Sequence, residues 1–134
     1  MDIMSTNAKG KIVRGKSILL YGKCVEEEHP DILKNFENYS KLSFCPEREH
    51  INMLFYKLMA VMSGARDLTV LTVDGSPHCV QMHYIADDVL RYSEKKFSVK
   101  HLVINKGRVV EISQDAIKTS RYLYKIQTLL NKRF

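Results

Sequence analysis

Apolar positions along this chain fall into two kinds of run. The first kind is short and continuous. Ser17-Ile18-Leu19-Leu20-Tyr21, closed by Gly22, predicts a strand buried on both faces. Leu42-Ser43-Phe44, stopped by Cys45-Pro46, predicts a second and shorter strand. Leu68-Thr69-Val70-Leu71-Thr72-Val73 is rich in β-branched residues and bounded by Asp74-Gly75, which makes it the strongest strand pattern present. Val99–Ile104 and Arg108–Ile112 flank Asn105-Lys106-Gly107, a tight hairpin turn.

The second kind repeats at helical spacing. Pro30 suits a first helical position, and Ile32, Leu33, Phe36 and Tyr39 extend a short amphipathic helix to Tyr39. Ile51, Leu54, Phe55, Leu58, Met59 and Met62 form one broad stripe, with Gly64 as C-cap. Ser76 as N-cap and Pro77 at N1 open a helix that runs to about Tyr92. Ser113 caps a last helix, whose buried stripe is Ala116, Ser120, Leu123, Ile126 and Leu130. Residues 1–15 are polar, basic and aperiodic. They predict a mobile arm, with Lys11-Ile12-Val13 as a candidate edge strand, ahead of a single α/β domain over residues 16–134.

The resulting order is β-α-β-α-β-α-β-β-α. It predicts an α/β fold: a three-layer open sheet, mostly parallel, of Rossmann- or flavodoxin-like order, finished by a C-terminal antiparallel hairpin. Composition agrees, because 45% hydrophobic and 27% charged residues exclude a wholly disordered chain. The apolar runs are too short to span a bilayer, and the opening MDIMSTNAKGK has no apolar signal region. The expectation is a cytoplasmic protein without membrane insertion.

Charge adds a partner class. Lys and Arg number 21 against 15 Asp and Glu, a formal charge of +6, which favours anionic small molecules, acidic proteins or nucleic acid without choosing among them. Lys118, Arg121, Lys125 and Lys132 lie along one side of the last helix, with Tyr122 and Tyr124 beside them. Phosphate contacts and base stacking would use such residues, but no nucleic-acid motif accompanies them, and a solvated amphipathic helix is the favoured account.

The sharper chemistry lies in the 3 cysteines, an odd number that argues against a disulfide framework. Cys24, Cys45 and Cys79 each follow a different predicted strand. In an open parallel sheet the segments after the strands share one rim, where ligands bind. Thiolates there, with His83 four residues beyond Cys79 on one helical face, point to zinc or an iron–sulfur cluster. No Cys-x-x-Cys pair supports either, and buried free cysteine is also ordinary core material.

The turn Asp74-Gly75-Ser76-Pro77-His78-Cys79 concentrates the rest. Asp74, Gly75 and Ser76 are candidate anion-binding residues at a helix start. Cys79, expected at N3, is the candidate nucleophile, with His78 as its proton partner. Three function classes follow. The first is a rim that binds a ligand or cofactor, in its most specific form an iron–sulfur or metal-associated redox domain. The second is a non-enzymatic module for an acidic protein or nucleic acid. The third is a thiol-dependent enzyme acting through Cys79 on an anionic substrate.

Overall fold

The computed structural model describes residues 1–133. The strands are β1 (Ser17–Gly22), β2 (Tyr39–Phe44), β3 (Asp67–Val73), β4 (Val99–Asn105) and β5 (Arg108–Ile112). Between and after them lie α1 (Lys23–Glu28), α2 (Pro30–Leu33), α3 (Ile51–Met62), α4 (Val80–Tyr92), α5 (Gln114–Ser120) and α6 (Leu123–Arg133). One sheet of five strands runs β2-β1-β3-β4-β5, parallel from β2 through β4 and antiparallel at β5. The three-layer α/β fold read from the sequence is the fold observed.

Burial on both faces explains the continuous apolar runs. Ile18, Leu20, Leu42, Phe44, Leu68 and Val70 pack beneath Leu54, Leu58 and Val61 of α3 and Met82, Ala86 and Val89 of α4. Leu19, Tyr21, Leu71, Leu102 and Ile104 pack on the opposite side with Val25 of α1, and Ile32 and Leu33 of α2. Each fully buried Leu or Ile contributes roughly 1.5–3 kcal/mol of transfer free energy. The β4–β5 hairpin closes through Lys106 at φ 53° and Gly107 at φ 77°. Positive φ at both central positions matches the right-handed twist of the paired strands.

Four local expectations are corrected. The first fifteen residues are not a mobile arm. Ile3 and Val13 are fully buried in the larger core, and Ser43 N–H donates to the Met1 carbonyl at 2.8 Å. The added edge pairing is Asp2 with Ser43, while Lys11–Gly15 forms a turn rather than a strand. Helix forms earlier than expected after β1, as α1, and the Pro30 helix stops at Leu33. The last helix is broken at Arg121–Tyr122, so its stripe does not stay buried: Leu123 is 82% exposed and Leu130 44%. Among the described residues, no helix is long and apolar enough to cross a membrane.

Candidate functional site

The sheet order places the site. β1 sends its chain outward to β2 through α1 and α2, on one face of the sheet. β3 sends its chain the other way to β4 through α4, on the opposite face. The two connections part at the carboxyl ends of β1 and β3, the switch point where open α/β sheets hold ligands.

A cavity of about 280 Å³ lies there. Cys24 at the start of α1, Cys45 after β2 and Cys79 before α4 all line it, together with Ser76 and His78. Three thiols from three strand ends therefore meet at one cavity. Lys23 and Arg48 add positive charge to its wall, and Glu27 and Glu47 add negative charge. His78 Nε2 stands 3.8 Å from Glu47 Oε1 across the mouth, both side chains being more than half exposed.

Cys24 Sγ and Cys79 Sγ are 3.6 Å apart. Their closeness depends on Gly22. A Cβ built there would lie 3.1 Å from Cys79 Sγ and 3.5 Å from Cys24 Sγ, so a side chain at this position would press on both sulfurs. Burial, and next the neighbouring Cys79, push the Cys24 thiol up to about 11. The Cys24 thiol therefore keeps its proton at neutral pH.

Cys79 itself sits three helical positions earlier than expected. Ser76 Oγ accepts from Cys79 N–H at 3.2 Å, capping a single turn, and regular helix begins only at Val80. Cys79 is thus the N-cap residue of α4 and not N3. His83, four residues further on, does not join the thiols at the cavity.

His83 instead belongs to a buried chain of polar groups on the other side of the turn. Thr72 Oγ1 lies 2.7 Å from His83 Nε2, His83 Nδ1 lies 2.9 Å from His101 Nδ1, and His101 Nε2 lies 2.9 Å from Asp87 Oδ1. With Asp87 ionised and both imidazoles neutral, one direction of donation satisfies every link. Thr72 O–H donates to His83, His83 Nδ1–H to His101, and His101 Nε2–H to Asp87. Burial, and next His101, hold His83 down to about 3. Both His83 nitrogens are taken, which removes it from the expected metal set.

Asp74 and Gly75 fall on this second side as well. They line a separate cavity of about 390 Å³, walled largely by Val80, Val103, Ile112 and Ile117, with Ser76 shared between the two cavities. The expected anion-binding trio is therefore divided by the turn it forms. Among the described residues, no group of three or more Cys, His, Asp or Glu side chains is arranged to hold a metal ion.

The sequence reading missed Lys23, Arg48 and Gly22 around the first cavity, and Thr72, Asp87 and His101 in the buried polar chain. A signal existed for one of them: Asp87 continues the four-residue spacing of Cys79 and His83 along α4. The expected basic helix is divided too. Lys118 lies on α5, Lys125 and Lys132 on α6, and Arg121 in the break between them. Arg121 stacks over Tyr84 at 5.5 Å and Lys125 over Tyr122 at 4.9 Å.

Residues 10–133 match the family described as Rossmann-like domain, and the chain belongs to that family. No curated protein and no solved structure matches it. The turn after β1 reads Gly22-Lys23-Cys24-Val25-Glu26-Glu27, with one glycine and two carboxylates. It lacks the Gly-x-Gly-x-x-Gly fingerprint whose backbone receives a dinucleotide pyrophosphate.

Proposed function

We propose that this Rossmann-like domain binds a small ligand in the cavity at the ends of β1, β2 and β3, and engages it through thiol sulfur. One observation carries the reading: Cys24, Cys45 and Cys79, from three separate strand ends, line that single cavity. The volume suits a compact molecule and not a dinucleotide. Lys23 and Arg48 are placed to hold an anionic group on it, while Glu27 and Glu47 limit how much negative charge the wall accepts.

The more specific metal or iron–sulfur form of this reading draws support from the close Cys24–Cys79 sulfurs alone. It needs further ligands, which His83 does not supply. Anaerobic purification with iron, zinc and sulfide analysis tests that form directly.

The wider reading is tested by disulfide tethering, with a panel of small cysteamine-capped fragments and peptide-resolved mass spectrometry. Selective retention of a few fragments at Cys24, Cys45 or Cys79 in native protein is expected. Equal capture of all fragments, or the same preferences in urea-unfolded protein, overturns it.

A further inference from the structure

Cys24 and Cys79 come from segments 55 residues apart in sequence, yet their sulfurs stand 3.6 Å apart at the switch point. A disulfide needs about 2.05 Å between sulfurs, so closure asks for a contraction of roughly 1.5 Å, within reach of side-chain rotation. We infer that Cys24 and Cys79 form a redox-active dithiol that reduces low-molecular-weight disulfides entering the cavity. The inference rests on reading that cavity as a ligand site, and adds the substrate class and the reaction.

Three structural features support it. Gly22 leaves the floor beneath both sulfurs open, so the pair lies side by side against the end of β1. Both thiols line a cavity that opens to solvent, Cys24 partly exposed and Cys79 buried at its wall, so a substrate reaches Cys79 only through that cavity. The pair is also asymmetric. Cys79 is the N-cap of the 13-residue α4, whereas Cys24 lies in α1 and keeps its proton at neutral pH.

The roles follow from that asymmetry. Cys79 loses its proton to solvent, and its sulfur attacks one sulfur of the substrate RSSR. A mixed disulfide forms and RS⁻ leaves. The neighbouring thiolate that opposed ionisation of Cys24 is then gone. Cys24 gives up its proton, its sulfur attacks Cys79 Sγ, and the second RS⁻ departs. The two thiolates released take up the two protons. Two cysteine thiols and RSSR become one Cys24–Cys79 disulfide and two RSH, with two electrons passed to the substrate.

The test uses the full chain with Cys45→Ser, incubated without air in buffered glutathione and glutathione disulfide. It is quenched with acid, alkylated and mapped by peptide mass. The expected product is an intramolecular Cys24–Cys79 disulfide. Adding Cys24→Ser should halt the reaction at a mixed disulfide on Cys79, and adding Cys79→Ser should leave Cys24 reduced. Gly22→Ala should slow closure by about tenfold or more, because the sulfurs lose their alignment. Two stable mixed disulfides in place of one internal bond would overturn the inference, as would closure at the same rate in urea. Fragment capture without internal closure sinks this inference alone. Internal closure with unselective capture sinks the wider ligand reading alone.

Discussion

Two clusters of reactive side chains flank the β3–α4 turn, and they are built on opposite principles. In the buried chain Thr72–His83–His101–Asp87, nearly every polar atom has a partner, and each bond fixes the direction of the next. Only Asp87 Oδ2 is buried without one among the described residues. At the rim, Cys24 and Cys79 have chiefly each other, beside open volume. The buried chain is committed to holding β3, α4 and β4 together. The rim retains unused bonding capacity, which is what a binding site requires. A perturbed titratable group is therefore not by itself the mark of function here, since His83 and Cys24 are both shifted and lie in these two different settings.

That contrast makes stability the first discriminator. Asp87→Ala leaves the buried His101 Nε2–H without its acceptor, and should cost roughly 2–3 kcal/mol in urea unfolding. Cys24→Ser and Cys79→Ser should each cost under about 1.5 kcal/mol, since they remove little volume and no directed network. Equal costs at the two sites would erase the distinction.

Acid should act on the same side. Unfolded His83 takes a proton below its ordinary 6.5, whereas folded His83 resists protonation down to about 3. Its contribution is complete above pH 6.5 and is lost progressively as pH falls toward 3. The slope approaches about 1.4 kcal/mol per pH unit. Protonation of His83 would place the new proton on Nε2, against the Thr72 hydroxyl that otherwise donates there, and would put a charge into the buried chain. Urea midpoints measured from pH 7 to pH 4.5 should show that slope, and His83→Gln should flatten it.

Gly22→Ala probes the rim with a smaller effect. The added Cβ at 3.1 Å from Cys79 Sγ should cost about 1–2 kcal/mol. Most of that loss should vanish in the Gly22→Ala/Cys79→Ala double variant, as a double-mutant cycle will reveal. The smallest effect is one of reactivity. Cys79→Ser removes the second cause holding Cys24 near 11, so alkylation of Cys24 at pH 8 should rise while stability barely changes. An unchanged pH profile of iodoacetamide labelling would mean that burial alone sets the Cys24 value.

Much of this architecture was legible in the order of residues. The runs at β1 and β3 and the Lys106-Gly107 turn declare themselves because strands buried on both faces need continuous apolar side chains. Placement of the thiols on one rim followed from strand polarity alone. Which two of them meet did not, because that depends on β1 lying between β2 and β3, a fact of sheet order. α1 was invisible because only Val25 of its six residues is buried, leaving no stripe to read. Ile3 and Val13 dock as two isolated contacts, which carry no period. Pairing Cys79 with His83 failed because both His83 ring nitrogens bond to Thr72 on β3 and His101 on β4, partners that spacing along α4 does not reveal.

The two edges of the sheet differ in a way that bears on assembly. At β2, Ser40 Oγ–H donates to the Ile12 carbonyl, and Ser43 is bridged by Asp2, so the first dozen residues close that side. Among the described residues β5 ends the sheet on the other side with no strand beyond it, and Val109 and Val110 are 40% and 41% exposed. An unpaired edge of this kind is a template for another strand. Here it occurs on one side only. Two copies joined β5 to β5 about a two-fold axis would consume both templates and leave closed sides outward. Strand addition at this edge, were it to occur, would terminate at a pair, where a sheet open on both sides would continue into a ribbon.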